Sequence, residues 1–215
     1  MNSLGISLYG ILDPARTRGR DLDEMASAAA RGGVTLLQYR DKTADTRTMV
    51  SAGREIAKAL EPHSVPLLIN DRVDVALAVG AQGVHLGQSD MHPGDARRLL
   101  GDDAIIGLTI KTVEHAEQAP LELLDYVCIG GVFTTMSKDN PTNIGLDGWR
   151  RLADVFAARN ARLPIGAIAG IDASNLASVL KNGADGAAII SAIFMADDVE
   201  QAARELKAIV EQVKP

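Results

Sequence analysis

Cysteine and aromatic residues are scarce in this sequence, and their scarcity narrows its class before any motif is read. The 215 residues include a single cysteine, Cys128. No internal disulfide can form, and within the apolar run Tyr126-Val-Cys-Ile129 the thiol reads as a small buried hydrophobe, not a nucleophile. Aromatics make up 3% against a hydrophobic fraction of 47%, so a sizeable core must be built from Ala, Val, Ile and Leu. Small aliphatic residues of this kind suit the interior of a parallel sheet closed on itself. Basic residues are outnumbered, 22 Lys+Arg against 28 Asp+Glu for a net charge of -6. That excludes the extended basic face needed by a nucleic-acid partner but leaves room for a local basic pocket. No stretch approaches the roughly 18 apolar residues of a membrane span, and the first residues lack the pattern of a secretory leader. The expectation is a soluble, cytoplasmic protein with small-molecule substrates, no nucleic-acid or membrane partner, and self-association into a homo-oligomer left open. No two of the four histidines have metal-ligand spacing, so zinc is not expected.

Short apolar runs alternate with helical patterns along the whole chain. The strand candidates are Ile6–Leu12, Val34–Tyr39, Leu67–Ile69, Gly83–Leu86, Ile105–Leu108, Tyr126–Ile129, Ile165–Ala169 and Gly186–Ile190. Helical patterns between them include Asp21–Arg31, Thr46–Leu60, Trp149–Ala158 and Val199–Val213. Parallel strands need crossovers, so this alternation predicts a parallel sheet. Eight strands in this length favour closure into one (β/α)₈ barrel over residues 1–215. An open doubly wound sheet usually carries G-x-G-x-x-G after its first strand, and none is present. A helix-stop, strand-start phrase recurs as Arg31-Gly-Gly-Val34, Gly80-Ala-Gln-Gly-Val84 and Gly183-Ala-Asp-Gly-Ala187, as expected of equivalent barrel units with glycine at the helix ends. The longest irregular stretch, Gly130–Gly145, follows the sixth strand and has the composition of a lid.

Barrel active sites lie where strands end. After the second strand comes Gln38-Tyr39-Arg40-Asp41-Lys42, whose alternation puts Gln38 and Arg40 on one side with Lys42 just beyond. This segment is either a diphosphate site or a solvated charged loop. Asn70-Asp71-Arg72 follows the third strand and Gln88-Ser-Asp90 the fourth. Asp71 and Asp90 therefore follow adjacent strands and suit Mg²⁺, which takes one or two carboxylates and fills its shell with phosphate and water. Helix capping is the plainer role for Asp71, and a turn for Asp90. Thr109 ends the fifth strand, and Thr134-Thr135-Met136-Ser137-Lys138 opens the long loop, where Lys138 can neutralise charge on a leaving diphosphate. Gly170 and Ser191 follow the seventh and eighth strands, the usual phosphate site of such barrels. His85 is expected in the barrel interior, hydrogen-bonded. His63, His92 and His115 are expected in solvent.

Taken in order, Gln38–Lys42, Ile69-Asn-Asp-Arg72, Gly83–Asp90, Ile106-Gly-Leu-Thr109, Asp125–Lys138, Ile168-Ala-Gly-Ile171 and Gly183–Ile193 resemble the thiamine-phosphate synthase family across nearly the whole chain. The resemblance implies a transferase that joins hydroxymethylpyrimidine diphosphate to hydroxyethylthiazole phosphate with loss of pyrophosphate. It implies that Gln38, Arg40, Lys42, Asn70, Thr109 and Lys138 hold the pyrimidine diphosphate, with Tyr39 and Asp41 in the same binding segment. Asp71 and Asp90 would hold Mg²⁺. Thr135, Met136, Ser137, Gly170, Ile190 and Ser191 would hold the thiazole phosphate. Arg40, Thr109 and Lys138 are the catalytic candidates, for a reaction in which diphosphate departs before the thiazole nitrogen attacks. The sequence departs from the family pattern at Tyr39 (usually leucine), Thr109 (commonly serine), Lys111 (often histidine), Gly131 (commonly proline) and Ala169 (commonly glycine). A thiazole tautomerase of the same fold is the nearest rival, but it has no need of Arg40, Lys42, Asp71, Asp90 and Lys138 together. A non-catalytic sensor of phosphorylated thiazole is the rival from another class.

Overall fold

In the computed structural model, residues 4–134, 143–159 and 161–214 are described. Eight parallel strands close into a barrel in sequence order. They are β1 (Leu8–Leu12), β2 (Leu36–Tyr39), β3 (Leu67–Asn70), β4 (Gly83–Leu86), β5 (Ile105–Ile110), β6 (Tyr126–Gly130), β7 (Ile165–Ile168) and β8 (Gly186–Ile189). Closure comes from β8 returning to β1, with Leu8 opposite Ala187 and Gly10 opposite Ile189. The helices are α1 (Leu22–Arg31), α2 (Thr46–Leu60), α3 (Val73–Val79), α4 (Pro93–Leu100), α5 (Val113–Gln118), α6 (Gly145–Ala158), α7 (Leu176–Lys181), α8 (Ser191–Phe194) and α9 (Val199–Val213). None is long and apolar enough to cross a membrane.

Strand alternation divides the core in two. Outward residues such as Leu8, Leu12, Leu37, Ile69, Val84, Ile106, Val127 and Ile189 pack under the helices. Inward residues Tyr9, Ile11, Leu36, Leu68, Tyr126, Cys128, Ile168 and Ala188 fill the barrel, so it is a packed core and not a pore. Cys128 is buried there, as its apolar surroundings in sequence suggest.

The repeated glycine phrase has a steric cause. The first glycine of its second copy, Gly80, takes φ +76° at the end of α3, the left-handed cap that closes a helix. The later glycines of the second and third copies begin strands pressed against a neighbour's backbone. A Cβ on Gly83 would lie 1.8 Å from the Ile105 carbonyl oxygen, and one on Gly186 would lie 1.9 Å from that of Ile6.

Helix starts follow their caps. Asp45 accepts from Thr48 N at 2.9 Å and opens α2, and Asp198 accepts from Gln201 N at 2.9 Å and opens α9. In contrast, α6 begins at Gly145, earlier than the expected Trp149. Asn143 Oδ1 accepts from Gly145 N at 3.1 Å, so a polar turn just ahead of the Ile144 cap position, outside the apolar pattern, leads into the helix.

Candidate active site

The C-terminal ends of β2 to β5 surround a cleft of about 420 Å³ lined by Arg40, Lys42, Asn70, Asp71, His85, Gly87, Gln88, Ser89, Asp90, Thr109, Lys111 and His115. The loops leaving β7 and β8 surround another of about 410 Å³, lined by Thr134, Ile168 to Asp172 and Ala188 to Ala192. Both therefore draw on strand C-termini, where this architecture places its chemistry.

Asp71 leaves β3 with φ +60°, a left-handed conformation that Asp tolerates better than most residues. Its N–H donates to His85 O at 2.9 Å, prolonging the ladder. The capping role considered for Asp71 is not what the structure shows: Arg72 occupies the cap position of α3 and makes no side-chain cap bond. The carboxylate is instead paired with Lys42 and lies close enough to Asp90 for the two to interact. Burial first, and then Asp90, push the Asp71 carboxyl above the usual carboxylate range, while Lys42 pulls the other way. Asp90 Oδ2 accepts from Gly87 N at 2.7 Å, which ties its turn to the end of β4. Two carboxylates in contact in a half-buried cleft repel unless a proton or cation lies between them. Among the described residues no group of three or more His, Cys, Asp or Glu side chains could hold a metal ion. A cation on this pair would complete its shell from phosphate and water, which is the habit of Mg²⁺.

Arg40 is fixed by Asp13, which is 7% exposed and follows β1. Asp13 also accepts from Ala15 N at 3.0 Å, so a turn holds the carboxylate that holds the guanidinium. Sequence reasoning missed Asp13, although the rule that strand ends carry function applies to β1 as well. Asn70 is 8% exposed, and its amide nitrogen is buried without a partner among the described residues. An orphaned donor in a polar cleft marks a place for a ligand atom.

Other candidates fall elsewhere. Tyr39 turns to the outer face of β2, where it is buried against the helix layer. Pleating turns it away from Gln38 and the barrel axis. The structure does not bring it into the cleft, nor Asp41, whose Oδ1 holds Thr43 N at 2.8 Å and Ala44 N at 2.9 Å. Gly170, Ile190 and Ser191 come together in the β7–β8 cleft. Thr135, Met136, Ser137 and Lys138, and half of the expected lid, lie outside the described residues. His115 is a correction: it is not solvated but lines the β2–β5 cleft, with Nδ1 buried and without a hydrogen-bond partner among the described residues. His63 meets Ser27 at 3.2 Å, and His92 caps α4.

The resemblance is decided by comparison with known proteins. The family model described as thiamine monophosphate synthase matches residues 8–193. The chain belongs to that family. A thiamine-phosphate synthase of Agrobacterium fabrum is 46% identical over 212 residues, covering 98% of this chain and 96% of the relative. One from Chloroflexus aurantiacus is 44% identical and covers 94% of this chain and 92% of its own. The solved thiamine phosphate pyrophosphorylase of Pyrococcus furiosus superimposes with a TM-score of 0.86 at 36% identity, over 99% of this chain and 98% of that one.

Two departures from the family pattern are neighbours in space. Gly131 takes φ +85° and donates to Ile168 O at 3.1 Å, which proline can do neither in conformation nor in hydrogen bonding. Ala169 holds φ +96° and accepts from Phe133 N at 3.1 Å. A non-glycine residue there stores strain beside the β7–β8 cleft.

Proposed function

We propose that the two clefts carry one transfer reaction, with the pyrimidine diphosphate over β2 to β5 and the thiazole phosphate over β7 and β8. As a member of the thiamine monophosphate synthase family, the chain is an enzyme that condenses pyrimidine and thiazole moieties to thiamine phosphate. The observation that supports the division most strongly is the Asp71–Asp90 carboxylate contact beside Lys42, Arg40 and the orphaned Asn70 amide.

Asp71 and Asp90 are the residues that would hold Mg²⁺, which when bound supplies positive charge to the diphosphate oxygens. Lys42 then exchanges Asp71 for a diphosphate oxygen, while Arg40 stays oriented by Asp13. Asn70 donates its unpartnered N–H, and Lys138 belongs to the same cationic set. In the reaction the methylene carbon–oxygen bond breaks and its electron pair leaves with diphosphate. The thiazole nitrogen lone pair then forms the new carbon–nitrogen bond. The step removes no proton, and His85, with both ring nitrogens hydrogen-bonded to Tyr126 and Thr109, is not called on as a base. The fixed cations favour the charge-separated transition state over the ground state. In the β7–β8 cleft, helix α8 begins at Ser191, and the first N–H groups of a helix have no intrahelical partner. Those donors and Gly170 would hold the phosphate.

Mass detection of thiamine phosphate after mixing the protein with Mg²⁺ and both substrates tests the assignment. Product that appears only when all are present is expected. Rearrangement of the thiazole alone, with no condensation, would establish the tautomerase instead. If departure precedes capture, a fluorinated pyrimidine should react far more slowly than the parent in single turnovers. Equal rates with chemistry limiting would remove the ionisation step.

A further inference from the structure

A chain of polar side chains crosses the barrel interior below the diphosphate cleft. Gln38 Nε2 donates to the Tyr9 hydroxyl. The Tyr9 and Tyr126 hydroxyls are 2.9 Å apart, Tyr126 is 2.8 Å from His85 Nδ1, and His85 Nε2 is 2.8 Å from Thr109 Oγ1. Five strands contribute one residue each. The packing is arranged for it: a Cβ on Gly107 would stand 2.1 Å from Tyr126 Cζ, so only glycine on β5 lets the Tyr126 ring lie across the axis.

Burial raises both phenol pKa values, so Tyr9 and Tyr126 stay neutral and each has one proton to place. Gln38 occupies Tyr9 as an acceptor, so Tyr9 donates to Tyr126. Tyr126, having accepted, donates onward to His85 Nδ1. That nitrogen must then offer its lone pair, which leaves the imidazole proton on Nε2, directed at Thr109 Oγ1. Thr109 accepts it, and among the described residues its hydroxyl has no other partner. Its own proton is left to point into the cleft that Thr109 lines.

We propose that His85 is a positioning residue: held as its Nε2–H tautomer by the Gln38–Tyr9–Tyr126 chain, it makes the Thr109 hydroxyl a hydrogen-bond donor to the pyrimidine diphosphate. The donor role at Thr109 rests on the assignment of that substrate to the β2–β5 cleft. The tautomer does not, and it is read on the free protein. The chain also joins Gln38, which is 1% exposed and stands below the cleft, to Thr109 on the cleft wall, so the orientation of a buried amide sets the hydrogen-bond polarity at the surface that would meet the substrate. A reversed Gln38 amide would reverse every link, putting the proton on Nδ1 and making Thr109 an acceptor.

The test is two-bond ¹⁵N–¹H correlation on the full chain labelled with ¹⁵N-histidine. The His85 signals are assigned by their loss in His85→Gln. A protonated Nε2 with an unprotonated Nδ1 is expected. A protonated Nδ1, alone or together with Nε2, overturns the proposal. Kinetics provide a second reading that a merely structural role would not reproduce. His85→Gln keeps an amide N–H at the position of Nε2, and His85→Leu does not. His85→Leu should lower kcat/KM for the pyrimidine diphosphate roughly 10- to 100-fold, the worth of a hydrogen bond to a charged partner. It should leave KM for thiazole phosphate unchanged, and His85→Gln should recover most of the loss. Equal losses in the two variants, or a loss shared by both substrates, would overturn it.

Discussion

Gly170 separates two costs that usually come together, and its replacement by alanine tests the geometry of the β7–β8 cleft. Its φ is +66°, and an added Cβ would lie 2.5 Å from Thr134 O and 2.8 Å from Phe133 Cβ. The left-handed conformation costs an L-residue roughly 1–2 kcal/mol. The overlap involves backbone that cannot rotate away, and overpacking of this kind costs roughly 1–3 kcal/mol more. Gly80 isolates the first cost: its φ is +76°, but nothing lies within 4 Å of the added carbon. At about 2–4 °C per kcal/mol for a chain of this size, Gly80→Ala should lower Tm by roughly 2–8 °C and Gly170→Ala by roughly 4–20 °C. The sequence has one tryptophan, Trp149, buried with its indole N–H on Gly166 O at 3.3 Å. Its fluorescence will follow both transitions. Calorimetry on Gly170→Ala should show thiazole phosphate affinity falling more than that for pyrimidine diphosphate. If Gly170→Ala unfolds no earlier than Gly80→Ala, the approach of Phe133 and Thr134 is not what demands glycine there. If both ligands weaken equally, the division of the clefts is wrong.

Asp71→Asn and Asp90→Asn should each reduce Mg²⁺-dependent turnover by at least about 100-fold, in line with losing an electrostatic contributor. Burial already disfavours the charged Asp71 in the fold, so Asp71→Asn should not lower Tm, and normal activity of both variants at limiting Mg²⁺ would refute the metal assignment. Asp13→Ala removes the partner of Arg40 and should raise KM for pyrimidine diphosphate about tenfold, near 1.4 kcal/mol. An equal change in KM for thiazole phosphate would show a general loss of structure instead. Gly107→Ala forces the Tyr126 ring from its place and should cost about 1–3 kcal/mol in denaturant unfolding. An unchanged midpoint would mean that the barrel interior yields around Tyr126 at little cost.

Much of this was legible because βα alternation is written in the local pattern. The expected ranges of β4, α2 and α9 match the structure residue for residue, since each is bounded by a capping residue or glycine with a strictly local effect. Boundaries slipped where the deciding partner was distant or polar. β1 and β2 begin two residues later than their apolar runs, because ladder hydrogen bonds, not hydrophobicity, define a strand's start. Gln38 and Arg40 were assigned to one face by period-two alternation, and the same alternation turns Tyr39 outward, so its place in the binding segment conflicted with its own parity. Asp13 and His115 were missed for different reasons. Asp13 matters through a residue 27 positions away. His115 sits on a short helix whose sequence looks solvated.

Residue spacing and end-capping were enough to specify the parallel barrel and the order of its polar strand ends, because both act over a few positions and need no partner. Only the tertiary structure decided which of those groups meet. Pairing of neighbouring strands brings Arg40 to Asp13 and Asp71 to Asp90, the second of these already expected from strand order, while closure of the barrel carries Tyr9 across to Tyr126 and on through His85 to Thr109. Such contacts depend on the geometry of the closed barrel, where residues from strands far apart in sequence share one axis. A linear pattern records which face each side chain takes, but not which side chain lies opposite.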